Sequence, residues 1–222
     1  MKLLKKIPAY GYIAGILFFA LQYGLYQLGN YLSGVIGTKE NAWCPKIFLD
    51  NYIPVVSVFV VIYVFSYVFW ICGPMAVSIG KKSHFINYVV GLLLAYLIGF
   101  LIFTFAPTYM DRVAEGLTTY AGNGIFDKML QTVYASDGGD IAFNLFPSYH
   151  CMISTYCYLG VRKQPEISKG FKIYSFIMAL LICISTQLTR QHYLLDMVAG
   201  ISIAVICYII VGKWNPGKEP RN

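Results

Sequence analysis

Two short clusters hold the residues of this chain that could do chemistry. One is Phe146-Pro147-Ser148-Tyr149-His150; the other is Thr189-Arg190-Gln191-His192-Tyr193-Leu194-Leu195-Asp196. His192 and Asp196 are four residues apart, a step that puts two side chains on one face of a helix. A carboxylate so placed accepts the Nδ1 proton of the imidazole and leaves Nε2 as a free, basic lone pair. Such an imidazole is a nucleophile or a base. The pairing also offsets the cost of Asp196, ~2.5–3.5 kcal/mol for a lone carboxylate at the centre of a bilayer and less near its edge. The alternative is a structural His–Asp pair that holds two helices together.

The first cluster supplies a second histidine. Pro147 suits the start of a helix, Ser148 suits its cap, and His150 then falls in the first turn. Backbone N–H groups and the dipole at a helix start favour an anion, and the Ser148 hydroxyl adds a donor. Two histidines facing each other across an anion pocket meet the needs of phosphoryl transfer. One attacks phosphorus in line; the other protonates the departing oxygen. Arg190 is always charged and can fork onto phosphate oxygens, or it can be an interface residue with its stem in apolar surroundings. Arg112 is a second candidate clamp, against a solvated loop charge, and Lys128 a more remote third. The catalytic candidates are therefore His192, His150 and Asp196, and the substrate-binding candidates Arg190, Ser148 and Arg112.

The elements that must position these residues lie in an apolar chain. Of 222 residues, 58% are hydrophobic and 12% charged, and apolar runs recur at about 20 residues, the length that crosses a bilayer. The fold class expected is all-α: a polytopic membrane protein, one domain over 1–222, with a six-helix transmembrane bundle. The predicted spans are 9–29, 53–77, 85–106, 141–161, 171–189 and 193–212. Lys2, Lys5 and Lys6 before the first span resemble a signal-peptide start. The run from Gly11 to Leu28 is long and no clean small-x-small site follows it, so an uncleaved span is expected.

The net charge of +7 suggests nucleic acid until its distribution is considered. With the N-terminus inside, Lys2, Lys5, Lys6, Lys81, Lys82, Arg162, Lys163, Lys169, Lys172, Lys213, Lys218 and Arg221 fall on the inner side, twelve of the 17 basic residues. The outer side holds Lys39, Lys46, Arg112, Lys128 and Arg190 with eight of the 10 acids. This is the positive-inside pattern. It implies no nucleic-acid partner, and it predicts a multi-pass cell-membrane protein with both termini cytoplasmic and the two clusters facing outside. The lipid bilayer is the expected partner.

The outer loop at 107–140 is long for so small a chain. Val113, Leu117 and Tyr120 within Asp111–Tyr120 have helical spacing. Ile125, Phe126, Met129, Leu130 and Val133 repeat it after Gly122-Asn123-Gly124. Two short amphipathic helices on the membrane surface, between spans 3 and 4, are expected, as a packing lid, a lipid-entry gate or both. Asp137-Gly138-Gly139-Asp140 reads as a turn rather than a metal site. His84, in an inner loop, reads as a solvated residue. Four cysteines fall in spans, Cys44 and Cys151 could bridge, and no Cys/His zinc spacing occurs.

At the two clusters the chain resembles a known family. Pro147-Ser148-x-His150 followed by His192-x-x-x-Asp196 is similar to the type 2 phosphatidic acid phosphatase superfamily, over about residues 95–205. The resemblance implies six membrane helices, no metal or other cofactor, and a phosphohistidine intermediate. It makes His192 the nucleophile, Asp196 its orienter, and His150 the acid and then the base for water. Two departures stand out. The usual first motif, Lys, six residues, then Arg-Pro, is absent, and Phe105–Arg112 occupies its place. In the third motif Ser185 matches, but Thr186 replaces the arginine six residues before the histidine, and Arg190 lies two before it. This pattern is closer to the inositol phosphorylceramide synthase-like branch.

The function expected is metal-independent hydrolysis of a phospholipid or polyprenyl phosphate at the outer leaflet. The alternative is transfer of a phosphate or phospho-headgroup to a lipid or sugar hydroxyl. An intramembrane serine protease using Ser148 or Ser154 lacks a GxSxG-type motif. A transporter would place charge at mid-bilayer and often shows repeated halves. A catalytically dead scaffold is distinguished only by assay.

Overall fold

The structure, a computed structural model, describes residues 6–118 and 122–218. An apolar surround obliges each backbone segment to satisfy its own hydrogen bonds, so the long apolar runs fold as helices. Among the described residues there are seven α-helices: α1 (Ala9–Val35), α2 (Val60–Val77), α3 (Lys82–Phe105), α4 (Ile125–Ser136), α5 (Tyr149–Val161), α6 (Lys169–Leu188) and α7 (Leu194–Trp214). Four segments are long and apolar enough to cross a membrane: Ser57–Val77, Lys82–Phe105, Lys169–Leu188 and Leu194–Trp214. They match the second, third, fifth and sixth predicted spans to within a few residues.

The other two predicted spans differ from expectation. α1 has 27 residues, a length of about 40 Å, but Gln22, Gln27, Asn30 and five tyrosines dilute its apolar character. The stretch 141–161 is helical only from Tyr149. At 13 residues, α5 is about 20 Å long, shorter than the ~30 Å hydrocarbon core. Eleven of its residues are buried, because it packs at once against α2, α6 and α7. The approach of α7 to the start of α5 is close. A Cβ on Gly200 would sit 2.4 Å from the Ser148 carbonyl oxygen, so only glycine fits there.

The segment between α3 and α5 is a folded cap with a core of its own. Strands β1 (Tyr109–Asp111) and β2 (Ile141–Phe143) pair antiparallel, Tyr109 opposite Phe143, Met110 opposite Ala142 and Asp111 opposite Ile141. Alternation turns Met110 and Ala142 inward. There they meet Val60, Leu117, Leu130, Tyr134, Leu145 and Tyr193. The chain is mostly helical as expected, and this small sheet of two three-residue strands is an addition to the all-α expectation. It also replaces the helix expected over Asp111–Tyr120: after β1 the chain turns through residues 112–116, and Tyr120 lies outside the described residues. The physical reason is long-range pairing. The backbone of 109–111 is committed to β2, and the Arg112 N–H donates to the Asp140 carbonyl at 2.8 Å. The second expected amphipathic helix is α4, which buries Leu130 and Tyr134 and exposes Ile125, Phe126 and Met129. Gly138 and Gly139 form the expected turn with φ of 91° and 61°.

At the opposite end of the bundle, His84 is not a solvated loop residue. It lies in the first turn of α3, with Nε2 2.8 Å from the Gly160 carbonyl oxygen of α5. All six cysteines are free.

Because the Gly200 contact is backbone to backbone, Gly200→Ala forces α5 and α7 apart. The expected outcome is a loss of about 1–3 kcal/mol, seen as a lower unfolding temperature of the full chain in detergent. An unchanged unfolding temperature would contradict the close approach.

Candidate active site

The sequence clusters meet where α5 and α7 begin. Ser148 is the N-cap of α5, and its Oγ accepts from the Cys151 N–H at 3.3 Å, as expected of serine at that position. His150 follows in the first turn. His192 is not on α7, as the four-residue spacing predicted. It lies in the turn that joins α6 to α7, whose first helical residue is Leu194.

That turn is built from local backbone bonds. The Arg190 N–H donates to the Gln187 carbonyl at 2.9 Å, and the Gln191 and His192 N–H groups both reach the Thr186 carbonyl, at 3.0 and 3.2 Å. Arg190 takes the left-handed conformation, φ 51°, at the position where helices often use glycine. Asp196 is the third residue of α7, and its Oδ2 folds back to accept the Tyr193 N–H at 2.8 Å. The same Oδ2 is 3.4 Å from Nδ1 of His192, long for a hydrogen bond and within ion-pair reach. The pair forms because a carboxylate at this position curls over the helix start, where the imidazole waits.

The two imidazoles come together. The rings of His150 and His192 have centroids 5.9 Å apart, and His150 stacks on Tyr63 of α2 at 4.1 Å. Trp70 meets His150 edge-on at 4.8 Å and donates its Nε1–H to Ser154 of α5. Both histidines are buried, yet both line a cavity of about 470 Å³. Its walls are largely aromatic: Tyr23 and Tyr26 of α1, Tyr63, Tyr67 and Trp70 of α2, Phe103 of α3 and Tyr149 of α5. Thr132, Val133 and Asp137 close it from the cap. Nε2 of His150 has no hydrogen-bond partner among the described residues. Burial opposes charging His192, but the adjacent Asp196 carboxylate outweighs burial and holds the imidazole above its ordinary range.

Arg190, Arg112 and Ser148 do not line this cavity. Arg190 donates to the Asp50 and Ile53 carbonyls at 2.5 and 3.0 Å and pairs with Glu115 at 2.5 Å. Glu115 also takes Lys46 and the Tyr193 hydroxyl. Arg112 is fully buried. It donates to the carbonyls of Tyr134, Asp137 and Gly139, to Gln191 Oε1 and to the Asp137 carboxylate at 2.9 Å. Lys128 lies on α4 and does not line the cavity.

Two residues here carried no sequence signal. Asp50, in the first outer loop and 1% exposed, accepts the Ile47 N–H on Oδ2 and the Leu194 N–H on Oδ1, at 2.7 and 2.8 Å. Asn144 lines the cavity with both amide atoms unpartnered among the described residues.

A family model described as the PAP2 superfamily matches residues 36–210. The chain belongs to the PAP2 superfamily. The PAP2 match takes in both clusters and the first outer loop that supplies Asp50. A "PA-phosphatase related-family protein" of Dictyostelium discoideum is 27% identical over 133 residues, 58% of this chain and 24% of that protein. The chain thus spans about a quarter of that relative's length. No solved structure matches it.

The Arg190 geometry predicts an order of stabilities. Arg190→Ala loses the anchor and keeps an unfavourable left-handed residue, while Arg190→Gly loses only the anchor. Both should lower the unfolding temperature, with the glycine variant more stable than the alanine variant by about 1 kcal/mol. Equal temperatures would mean that the turn relaxes once the side chain is gone.

Proposed function

We propose that the chain hydrolyses a lipid phosphate, phosphatidate-like or polyprenyl-phosphate-like, through a phosphohistidine intermediate and without a metal. The observation that carries this reading is the meeting of His150 and His192 on one cavity wall, with Asp196 behind His192. Membership of the PAP2 superfamily supports the chemistry, and the aromatic cavity suits a substrate with an apolar tail.

In the first step Nε2 of His192 attacks phosphorus. An N–P bond forms, the P–O bond to the lipid alcohol breaks, and His150 gives its proton to the departing oxygen. In the second step His150 takes a proton from water, the water oxygen attacks phosphorus, and the N–P bond breaks to release phosphate and neutral His192. Asp196 stabilises the imidazolium side of each exchange. The start of α5 brings backbone N–H groups toward the anion. For Arg190 or Arg112 to bind phosphate, each must exchange its carboxylate, Glu115 or Asp137, for the substrate. The positive-inside pattern puts this end of the bundle at the extracytoplasmic face of the cell membrane, with both termini cytoplasmic.

The experiment is release of inorganic phosphate from a panel of lipid phosphates, with and without added hydroxyl acceptors. His192→Ala should fall below detection, and His150→Ala by on the order of 10²–10⁴-fold, with unfolding temperatures near that of the unaltered chain. Asp196→Asn should lose less, since its Oδ1 can still cap α7. Full activity in His192→Ala would remove the nucleophile. Phosphate appearing on an added alcohol instead of in solution would make the chain a transferase using the same intermediate.

The pH profile follows from the raised pKa of His192. A nucleophilic Nε2 must be unprotonated, so kcat/KM should fall as pH drops through a value above the ordinary ~6.5 of histidine. Asp196→Asn should move that limb downward. Stability runs the other way. The His192–Asp196 contribution is complete below ~6.5 and is lost as pH rises through the raised folded-state value. An acid limb unmoved by Asp196→Asn would sever the pair from catalysis.

A further inference from the structure

Asn144 combines two features that are unfavourable unless something enters the cavity. It stands between β2 and the cap of α5, with φ 59°. A left-handed residue other than glycine is strained, and asparagine escapes part of that strain when its side chain bonds the nearby backbone. Here it does not. The Asn144 N–H is taken by the Thr108 carbonyl at 2.8 Å, which explains the backbone and leaves the side chain without a task. The side-chain amide is buried, the residue being 2% exposed, and neither Nδ2 nor Oδ1 has a partner among the described residues. A buried amide without hydrogen bonds is destabilising, and glycine would avoid both defects. Asn144 lines the same cavity as His150, whose Nε2 is likewise unpartnered, and His192.

The charge around the cavity shows what that amide is for. Among the described residues no lysine or arginine lines it; Arg112 pairs with Asp137 of its wall, and Arg190 with Glu115, which does not line it. A phosphoryl group beside the two histidines needs further N–H donors on its equatorial oxygens, where charge gathers in the transition state. We propose that Asn144 is a substrate-binding residue whose Nδ2 donates to a non-bridging phosphoryl oxygen, in place of a cationic clamp. This rests on the phosphate-handling reading given above. The left-handed backbone sets Asn144 on the wall of the cavity that the two imidazoles share.

The test is Asn144→Gly in the full chain, purified in detergent, with orthovanadate as the phosphate-like probe. Glycine suits φ 59°, so the variant should unfold at the same temperature as the unaltered chain or higher. Its kcat/KM for lipid-phosphate hydrolysis should nevertheless fall about 10²-fold, the usual effect of removing one such donor, and orthovanadate should no longer raise its unfolding temperature. Asn144→Asp should lose at least as much, because it sets a carboxylate against the phosphoryl oxygens. If Asn144→Gly keeps full kcat/KM and its response to vanadate while His192→Ala is inactive, the role of Asn144 is overturned and the reaction stands. Activity and unfolding temperature falling together in Asn144→Gly would make the residue structural and also overturn the role. An unaltered chain with neither turnover nor vanadate response would overturn the reaction and the role together.

Discussion

The buried start of α7 is the constraint on which the rest of the site depends. The first N–H groups of a helix have no partner within it, and here they lie away from water. Two carboxylates meet them: Asp196 takes the Tyr193 N–H and Asp50 takes the Leu194 N–H. Negative charge is favoured at this end of a helix, so the arrangement stabilises both the acids and the helix start. The cap then dictates the chemistry. With Oδ2 of Asp196 fixed by the Tyr193 N–H, the His192 ring has one place in which it can meet that oxygen, at 3.4 Å. The imidazole is thereby held on the wall of the cavity that His150 also lines.

Asp50 extends the same constraint outward. Its carbonyl accepts from Arg190, its Oδ2 accepts the Ile47 N–H, and its Oδ1 reaches α7. One buried acid thus joins the first outer loop, the α6–α7 turn and the helix that carries Asp196. A change at any of the three shifts the others, because each buried donor must keep its acceptor.

How much of this the sequence could tell depends on how local each interaction is. Ser148 as a helix cap involves residues three apart, and it was readable. α4 announced itself by the periodic spacing of Leu130 and Val133. His192 and Asp196 were read as partners on one helix face. They are partners, but through a cap: His192 precedes the helix, and the two geometries share the same four-residue step. What the sequence withheld is long-range. β1 and β2 are three residues each and pair across about thirty positions, so neither has a pattern of its own. Asp50 reaches residues 140 and 144 positions away. Arg112 reads as a candidate clamp or a solvated loop charge because nothing in its neighbours reports the carbonyl nest, formed by Tyr134, Asp137 and Gly139, that buries it.

The two arginines neutralise carboxylates around the cavity without lining it themselves. Asp137 lines the cavity, and unpaired it would repel a phosphoryl group; Glu115 would set a second negative charge beside Tyr193. Arg112 lies 2.9 Å from Asp137, and Arg190 is equally committed to Glu115. Each guanidinium offsets the charge of its carboxylate, with less screening at Glu115, 9% exposed, than at Asp137, 30% exposed. Removing Arg112 would leave the half-buried Asp137 without its cation, whereas Glu115 would keep Lys46 if Arg190 were removed. Both pairs also fasten the cap to the α6–α7 turn, since Arg112 holds Gln191 and the Tyr134 hydroxyl donates to the Thr189 carbonyl at 2.7 Å. Where the superfamily pattern places an arginine, this chain has Thr186, whose carbonyl receives the Gln191 and His192 N–H groups. Tied together by Arg112, Arg190 and Tyr134, cap and histidine turn hold or yield as one unit.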